Sequence, residues 1–213
     1  MKKNILCFGD SNTYGFIPAS GIRFNYDERW TGILQNCLGQ DYYIIEEGCN
    51  ARTVLTADPI NPYKNSRDYI YPCLVSHCPL DLVIICLGAN DLKTRFGISA
   101  KFISLCMKEL VRIIRTFDYE YPIETTPQIL IAAPIRISEK VIEIEESSFD
   151  LISAQKSVRL ATYYEALAKE INCHFFDMGK YAKASDEDGI HLTKEGHKAV
   201  AQGLLPLVKD ILK

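Results

Sequence analysis

The run Leu82-Val83-Ile84-Ile85-Cys86-Leu87 has no polar residue at either of its alternating sets of positions. A strand of this kind needs apolar cover on both faces, as in a parallel sheet flanked by helices. Apolar runs recur at Ile5 to Phe8, Tyr42 to Ile45, Gln128 to Ala133 and, briefly, His174 to Phe176. Between them the pattern turns helical. Ile98, Phe102, Leu105, Cys106, Leu110, Ile113 and Ile114 recur at three- and four-residue spacing, which lines one helix face. Arg29 to Leu38, Phe149 to Ile171 and Thr193 to Leu212 also read as helices, with Thr193 placed to cap the last. The alternation predicts a flavodoxin-like three-layer α/β/α sandwich, with a five-stranded parallel sheet of order 2-1-3-4-5. Residues 1–213 are expected to form one such domain, since the chain shows no repeat, linker or low-complexity tract.

Two connections are long: Asn50 to Cys78, with prolines 59, 62, 72 and 79, and the acidic Ile135 to Ser148. Long loops in a compact domain often carry function, although solvated surface excursions account equally well for most of their length. The net charge is −3 and the basic residues are scattered, so nothing points to nucleic acid or an anionic membrane. No run approaches the about 18 apolar residues of a membrane span. The apolar stretch after Lys2-Lys3 is too short for an export signal. Without that signal, the eight cysteines read as reduced thiols in a cytoplasmic protein, several of them acting as small hydrophobes. Their even number keeps a disulfide framework open as the alternative.

In such a sheet the carboxyl ends of the strands share one edge, where ligands bind near the switch in strand order. That edge would gather four polar clusters: Gly9-Asp10-Ser11-Asn12, Glu46-Glu47-Gly48-Cys49-Asn50, Gly88-Ala89-Asn90-Asp91 and Asp188-Gly189-Ile190-His191. A serine hydroxyl is a weak nucleophile until a base takes its proton, and His191 is the natural base for Ser11. Asp188 could accept a hydrogen bond from the other ring nitrogen and fix the tautomer. Backbone N–H groups of Ser11 and Gly48, with the Asn90 carboxamide, would serve a developing oxyanion. Each cluster alone is ordinary: Gly-Asp-Ser is a common turn after a strand, and Gly48 and Asn90 suit positive φ. The combination, in order and at strand ends, carries the catalytic reading.

The chain resembles SGNH hydrolases, the GDSL-type esterase/lipase superfamily, whose four blocks would here be Ser11, Gly48, Asn90 and His191, with Asp188 three residues before the histidine. Gly9-Asp10-Ser11-Asn12-Thr13-Tyr14-Gly15, Gly48-Cys49-Asn50-Ala51-Arg52-Thr53 and Leu87-Gly88-Ala89-Asn90-Asp91-Leu92-Lys93 resemble the bacterial arylesterase/perhydrolase branch. That resemblance implies hydrolysis of short-chain acyl esters through an acyl-enzyme, no metal or other cofactor, and a homo-oligomer. It also leaves open acyl transfer, perhydrolysis, and carbohydrate acetylesterase, thioesterase or lysophospholipase activity. Asn12 departs from the usual leucine, and no role in the chemistry is expected for its side chain.

Around this centre Asp10, Asn12, Tyr14, Cys49, Asn50 and Arg52 are candidate pocket residues, while Asp10 and Asp91 are expected to hold turns. Tyr14, Phe16 and Trp30 could wall an acyl pocket, with core packing the default for Trp30. His77 and His197 read as ordinary surface or helix residues, and His174 as packing. A metallophosphoesterase would need several carboxylates and imidazoles on two metals, and the early Asp-x-His ligand pair is missing. A non-catalytic binding module on the same fold is the other alternative.

Overall fold

The computed structural model describes residues 2–117, 126–145 and 147–213. Five strands run β1 Lys3–Gly9, β2 Tyr42–Gly48, β3 Leu82–Cys86, β4 Gln128–Ala133 and β5 His174–Asp177. All are parallel, in the order β2-β1-β3-β4-β5. The α-helices among the described residues are α1 Ser11–Tyr14, α2 Trp30–Leu38, α3 Arg67–His77, α4 Ala100–Arg115, α5 Leu151–Glu170 and α6 Lys194–Ile211.

Alternation along β1 shows why the sheet is covered twice. Leu6 and Phe8 join Ile70 and Leu74 of α3, Ile103 and Leu110 of α4, and Leu160 and Tyr164 of α5 in one core. Ile5 and Cys7 project the other way, onto Trp30 and Leu34 of α2 and Val200 and Leu204 of α6. Leu82 to Leu87 is buried throughout, with Leu82, Ile84 and Cys86 in the second core and Val83, Ile85 and Leu87 in the first. The three-layer α/β/α arrangement follows directly from a strand with two apolar faces.

Local signals set the helix starts. Thr193 accepts the Gly196 N–H at 3.1 Å and opens α6. Asp150 and Ser153 form a reciprocal capping box that opens α5, two residues inside the expected Phe149 start. Helix α3 lies within the connection expected to be a long loop. Pro72 sits inside it and its apolar face is narrow, with Ile70, Cys73 and Leu74 buried, so periodicity and punctuation both argued against a helix there. Among its described residues, the Ile135 to Ser148 connection contains the short 3₁₀ turn Glu139–Glu143. All eight cysteines are free thiols. No helix among the described residues is long and apolar enough to cross a membrane.

Candidate active site

Register brings the strand ends level: Gly9 pairs with Gly48 on one side and Cys86 on the other, at the point where strand order reverses. The chain leaves β1 through Asp10, whose Oδ1 accepts the Asn12 N–H at 3.0 Å and caps the one-turn helix α1. Ser11 is thereby fixed at the start of a helix, over the sheet edge.

On the opposite rim, Asp188 folds its own loop. Its Oδ1 accepts the N–H groups of Ile190 at 3.1 Å and His191 at 3.0 Å, and Gly189 between them turns with φ +72°. The other carboxylate oxygen lies 2.7 Å from His191 Nδ1, and His191 Nε2 lies 2.9 Å from Ser11 Oγ. Burial pushes the Asp188 carboxyl up, but the hydrogen bond and charge of His191 and the two N–H donors pull it below its ordinary value. Asp188 is therefore held as an acceptor for the imidazole. Phe16 stacks against the other side of this arrangement, its ring centroid 4.5 Å from that of His191.

These groups face a cleft of about 330 Å³ lined by Asp10, Ser11, Asn12, Phe16, Asn50 and Asn90 together with Asp188 and His191. Ala51 and Lys93 add to its floor, and Ile144, Ser147 and Phe149 close one side. The Asn90 carboxamide donates to the Arg52 carbonyl at 3.2 Å and stands 3.5 Å from Asp10 Oδ2, so one of its two N–H bonds has only a long contact. Burial raises the Asp10 carboxyl to about 6, against the Asn12 N–H and the charges of His191, Arg52 and Lys93. Gly48 sits behind this edge, where a Cβ would lie 2.2 Å from the Tyr14 backbone nitrogen. Only glycine lets β2 approach the serine turn this closely.

Several expected pocket residues lie elsewhere. Tyr14, Cys49 and Arg52 do not line the cleft. Tyr14 carries the Arg23 guanidinium 4.5 Å above its ring, and Cys49 Sγ stands 3.8 Å from Lys64 Nζ. Arg52 is buried over the Phe8 ring and donates to the carbonyls of Gly9 and Glu47, tying the ends of β1 and β2 together. Asp91 is structural in its contacts, accepting the Val54 N–H at 2.9 Å and the Thr56 hydroxyl at 2.6 Å. Trp30 is a core residue whose indole N–H donates to the Asn12 carbonyl at 3.1 Å.

Two residues have roles that their sequence context did not disclose. The Asn12 side chain donates to the Ile190 carbonyl at 3.2 Å and accepts the Leu192 N–H at 2.8 Å, so it grips the backbone on both sides of His191. No role in the chemistry was expected for this side chain, and its contacts are to backbone: it sets where the histidine loop sits. His197 lies on a helix, yet it is fully buried rather than at the surface, and its Nδ1 accepts the Trp30 N–H at 3.2 Å. The one group of candidate metal ligands among the described residues, Glu47, Cys73 and His77, lies outside the cleft lining. In it His77 Nε2 already pairs with Glu47 Oε1 at 2.8 Å.

Comparison with known proteins shows the family. No curated protein matches the chain. The native aryl esterase of M. smegmatis has a structure of TM-score 0.88 at 38% identity, covering 99% of this chain and 100% of that one. Est24, a carbohydrate acetylesterase from Sinorhizobium meliloti, is similar with a TM-score of 0.93 at 36% identity, covering 99% of this chain and 100% of its own. The GDSL-like Lipase/Acylhydrolase profile matches residues 7–199, from the end of β1 to the first turns of α6. The chain belongs to the GDSL-like lipase/acylhydrolase family.

Proposed function

We propose that this protein is a serine esterase that hydrolyses short-chain acyl esters through an acyl-enzyme. The observation that carries the reading is the chain of contacts from Asp188 Oδ2 to His191 Nδ1, 2.7 Å, and from His191 Nε2 to Ser11 Oγ, 2.9 Å. Ser11 Oγ attacks the ester carbonyl carbon while its proton passes to His191 Nε2. Asp188 holds the imidazole in the tautomer that can accept and stabilises the imidazolium. The Ser11 N–H and the Asn90 carboxamide receive the oxyanion, each donor worth on the order of 10²–10³ in rate; Gly48, expected to join them, does not line the cleft. The C–O ester bond then breaks and the alcohol leaves with the proton from His191. Water, deprotonated by the same imidazole, attacks the acyl-enzyme and releases the acid and Ser11.

A cleft of about 330 Å³ stands near the lower end of ligand sites, which fits a small acyl ester better than a long chain. The aryl esterase and carbohydrate acetylesterase neighbours support the same class. A second reading within that class, deacetylation of a carbohydrate, draws on Asn50. It lines the cleft and its Oδ1 has no hydrogen-bond partner, an acceptor that a small turn of the side chain would bring to a substrate hydroxyl.

The test is hydrolysis of p-nitrophenyl esters of rising acyl length by wild type and Ser11→Ala. Acetate to butyrate should be preferred, and the variant should lose several orders of magnitude in kcat. Equal activity in the variant overturns the mechanism. A preference for long chains overturns the short-acyl assignment.

A further inference from the structure

Three cationic side chains among the described residues are buried: Arg29, Arg52 and Lys93. Two of them have partners. Arg29 donates to Glu46 at 2.8 Å, and Arg52 donates to the Gly9 carbonyl at 3.0 Å. Lys93 has none. It is 8% exposed, lines the Ser11 cleft, and its Nζ meets no carboxylate within 4.0 Å and no acceptor within 3.5 Å among the described residues.

The carboxylates that act on Lys93 from farther away are engaged elsewhere. Asp58 pairs with Arg95, Asp91 is held by Val54 and Thr56, and Asp10 caps Asn12. Arg95 repels the ammonium, and burial is the largest cause of its lowered pKa. Among the described residues, Glu145 is the other acidic residue on the cleft wall beyond Asp10 and Asp188, and it is exposed. The Lys93 side chain is packed, but its Nζ is not among the polar atoms sealed off without a partner, so the amine keeps contact with the cleft. Whatever enters this cleft reaches an ammonium that the described residues leave unpaired.

We propose that the cleft selects esters bearing a carboxylate, and that Lys93 is the residue that binds this anion beside Ser11. The proposal rests on the esterase reading and narrows its substrate class. A neutral ester leaves the ammonium unpaired, whereas a carboxylate-bearing ester supplies a charge-assisted contact. The carboxylate can be carried on the acyl half, as in a half-ester of a dicarboxylic acid. It can also be carried on the alcohol half, as in the acyl ester of a hydroxy acid.

Two matched pairs test this in the wild-type enzyme: monoethyl succinate against ethyl butyrate, and 4-acetoxybenzoate against its methyl ester. In at least one pair kcat/KM should favour the carboxylate by about 10–100-fold, the range expected of a hydrogen bond to a charged group. Lys93→Met should bring that ratio close to unity, and Lys93→Arg should restore part of it. A role for Lys93 as a distant counter-charge to Asp10 and Asp91 would instead lower both members of a pair alike. The proposal is overturned if wild type hydrolyses the neutral esters and shows no preference for the carboxylate in either pair. It is equally overturned if Lys93→Met keeps the preference. Failure to hydrolyse any of the four esters would strike the esterase reading itself, and this proposal with it.

Discussion

Asn12 Oδ1 accepts the Leu192 N–H at 2.8 Å, joining the residue after Ser11 to the residue after His191 across 180 positions of chain. The same side chain donates to the Ile190 carbonyl at 3.2 Å, so His191 is held from both flanks. In Asn12→Leu the buried Leu192 N–H is left without a partner, at a cost of about 1–3 kcal/mol. The expected outcome is a fall in kcat of about 10-fold or more with KM little changed, and slower labelling of Ser11 by a fluorophosphonate. A purely structural role would lower the melting temperature without that loss in labelling rate per folded molecule.

Asp188 is a charged acceptor for His191 Nδ1, and asparagine would have its shape without its charge. Asp188→Asn keeps an oxygen for the Ile190 and His191 N–H groups but lets its amide donate to the ring, favouring the wrong tautomer. We expect kcat to fall by about 10³–10⁴-fold. Steady-state rates on p-nitrophenyl acetate, with circular dichroism to confirm an intact fold, are the measurement.

Gly48 leaves no room for a methyl group, because its Cβ would lie 2.2 Å from Tyr14 N and 2.6 Å from the Thr13 carbonyl carbon. Those atoms are backbone of α1, so they cannot swing aside as a side chain could. Gly48→Ala should destabilise the protein by about 1–3 kcal/mol and displace the serine turn. Chemical denaturation and kcat should fall together. An alanine variant of wild-type stability would show that β2 does not fix the turn.

His197 carries the pH prediction. Burial, with the charges of Arg29 and His191 adding to it, depresses its pKa from 6.5 to about 3. Its folded value lies below its unfolded value, so the stability it contributes is complete above 6.5 and is lost as pH falls towards 3. Asp10 and Asp91 act in the opposite sense, since burial raises both to about 6. Comparing wild type with His197→Gln cancels those two. Between pH 6.5 and 4 the stability of wild type should fall more steeply with acid than that of the variant, by up to about 1.4 kcal/mol per pH unit. Parallel stability curves would refute the assignment.

Much of the architecture was legible because burial writes itself into the order of residue types. A run such as Leu82 to Leu87 can only be a strand between two apolar layers, and the alternation of such runs with amphipathic segments fixes the sandwich and its strand order. The strand ends followed within a few residues, though β2 runs on to Gly48 through the polar pair Glu46 and Glu47, which its hydropathy could not reveal. Glu46 is drawn in by Arg29 and Thr31, contacts made by α2 and not by the strand itself. Helix α3 stayed hidden for the complementary reason. Its proline and weak periodicity describe a poor isolated helix, and packing of Ile70, Cys73 and Leu74 in the core overrides them.

What the sequence determined alone is the parallel sandwich and the order of its chemical groups: a serine after β1, a glycine at the end of β2, an asparagine after β3, and an aspartate three residues before a histidine. Tertiary structure decided how those groups meet and what supports them. The 2.9 Å approach of His191 to Ser11 depends on Asn12 bridging two segments that are strangers in the chain. The same is true of Lys93, an ordinary lysine in sequence, whose side chain the fold packs into the cleft wall with no partner for its ammonium among the described residues. Local order is set by periodicity and capping, which act over a few residues; contact and desolvation arise between distant ones, and only the folded chain brings them together.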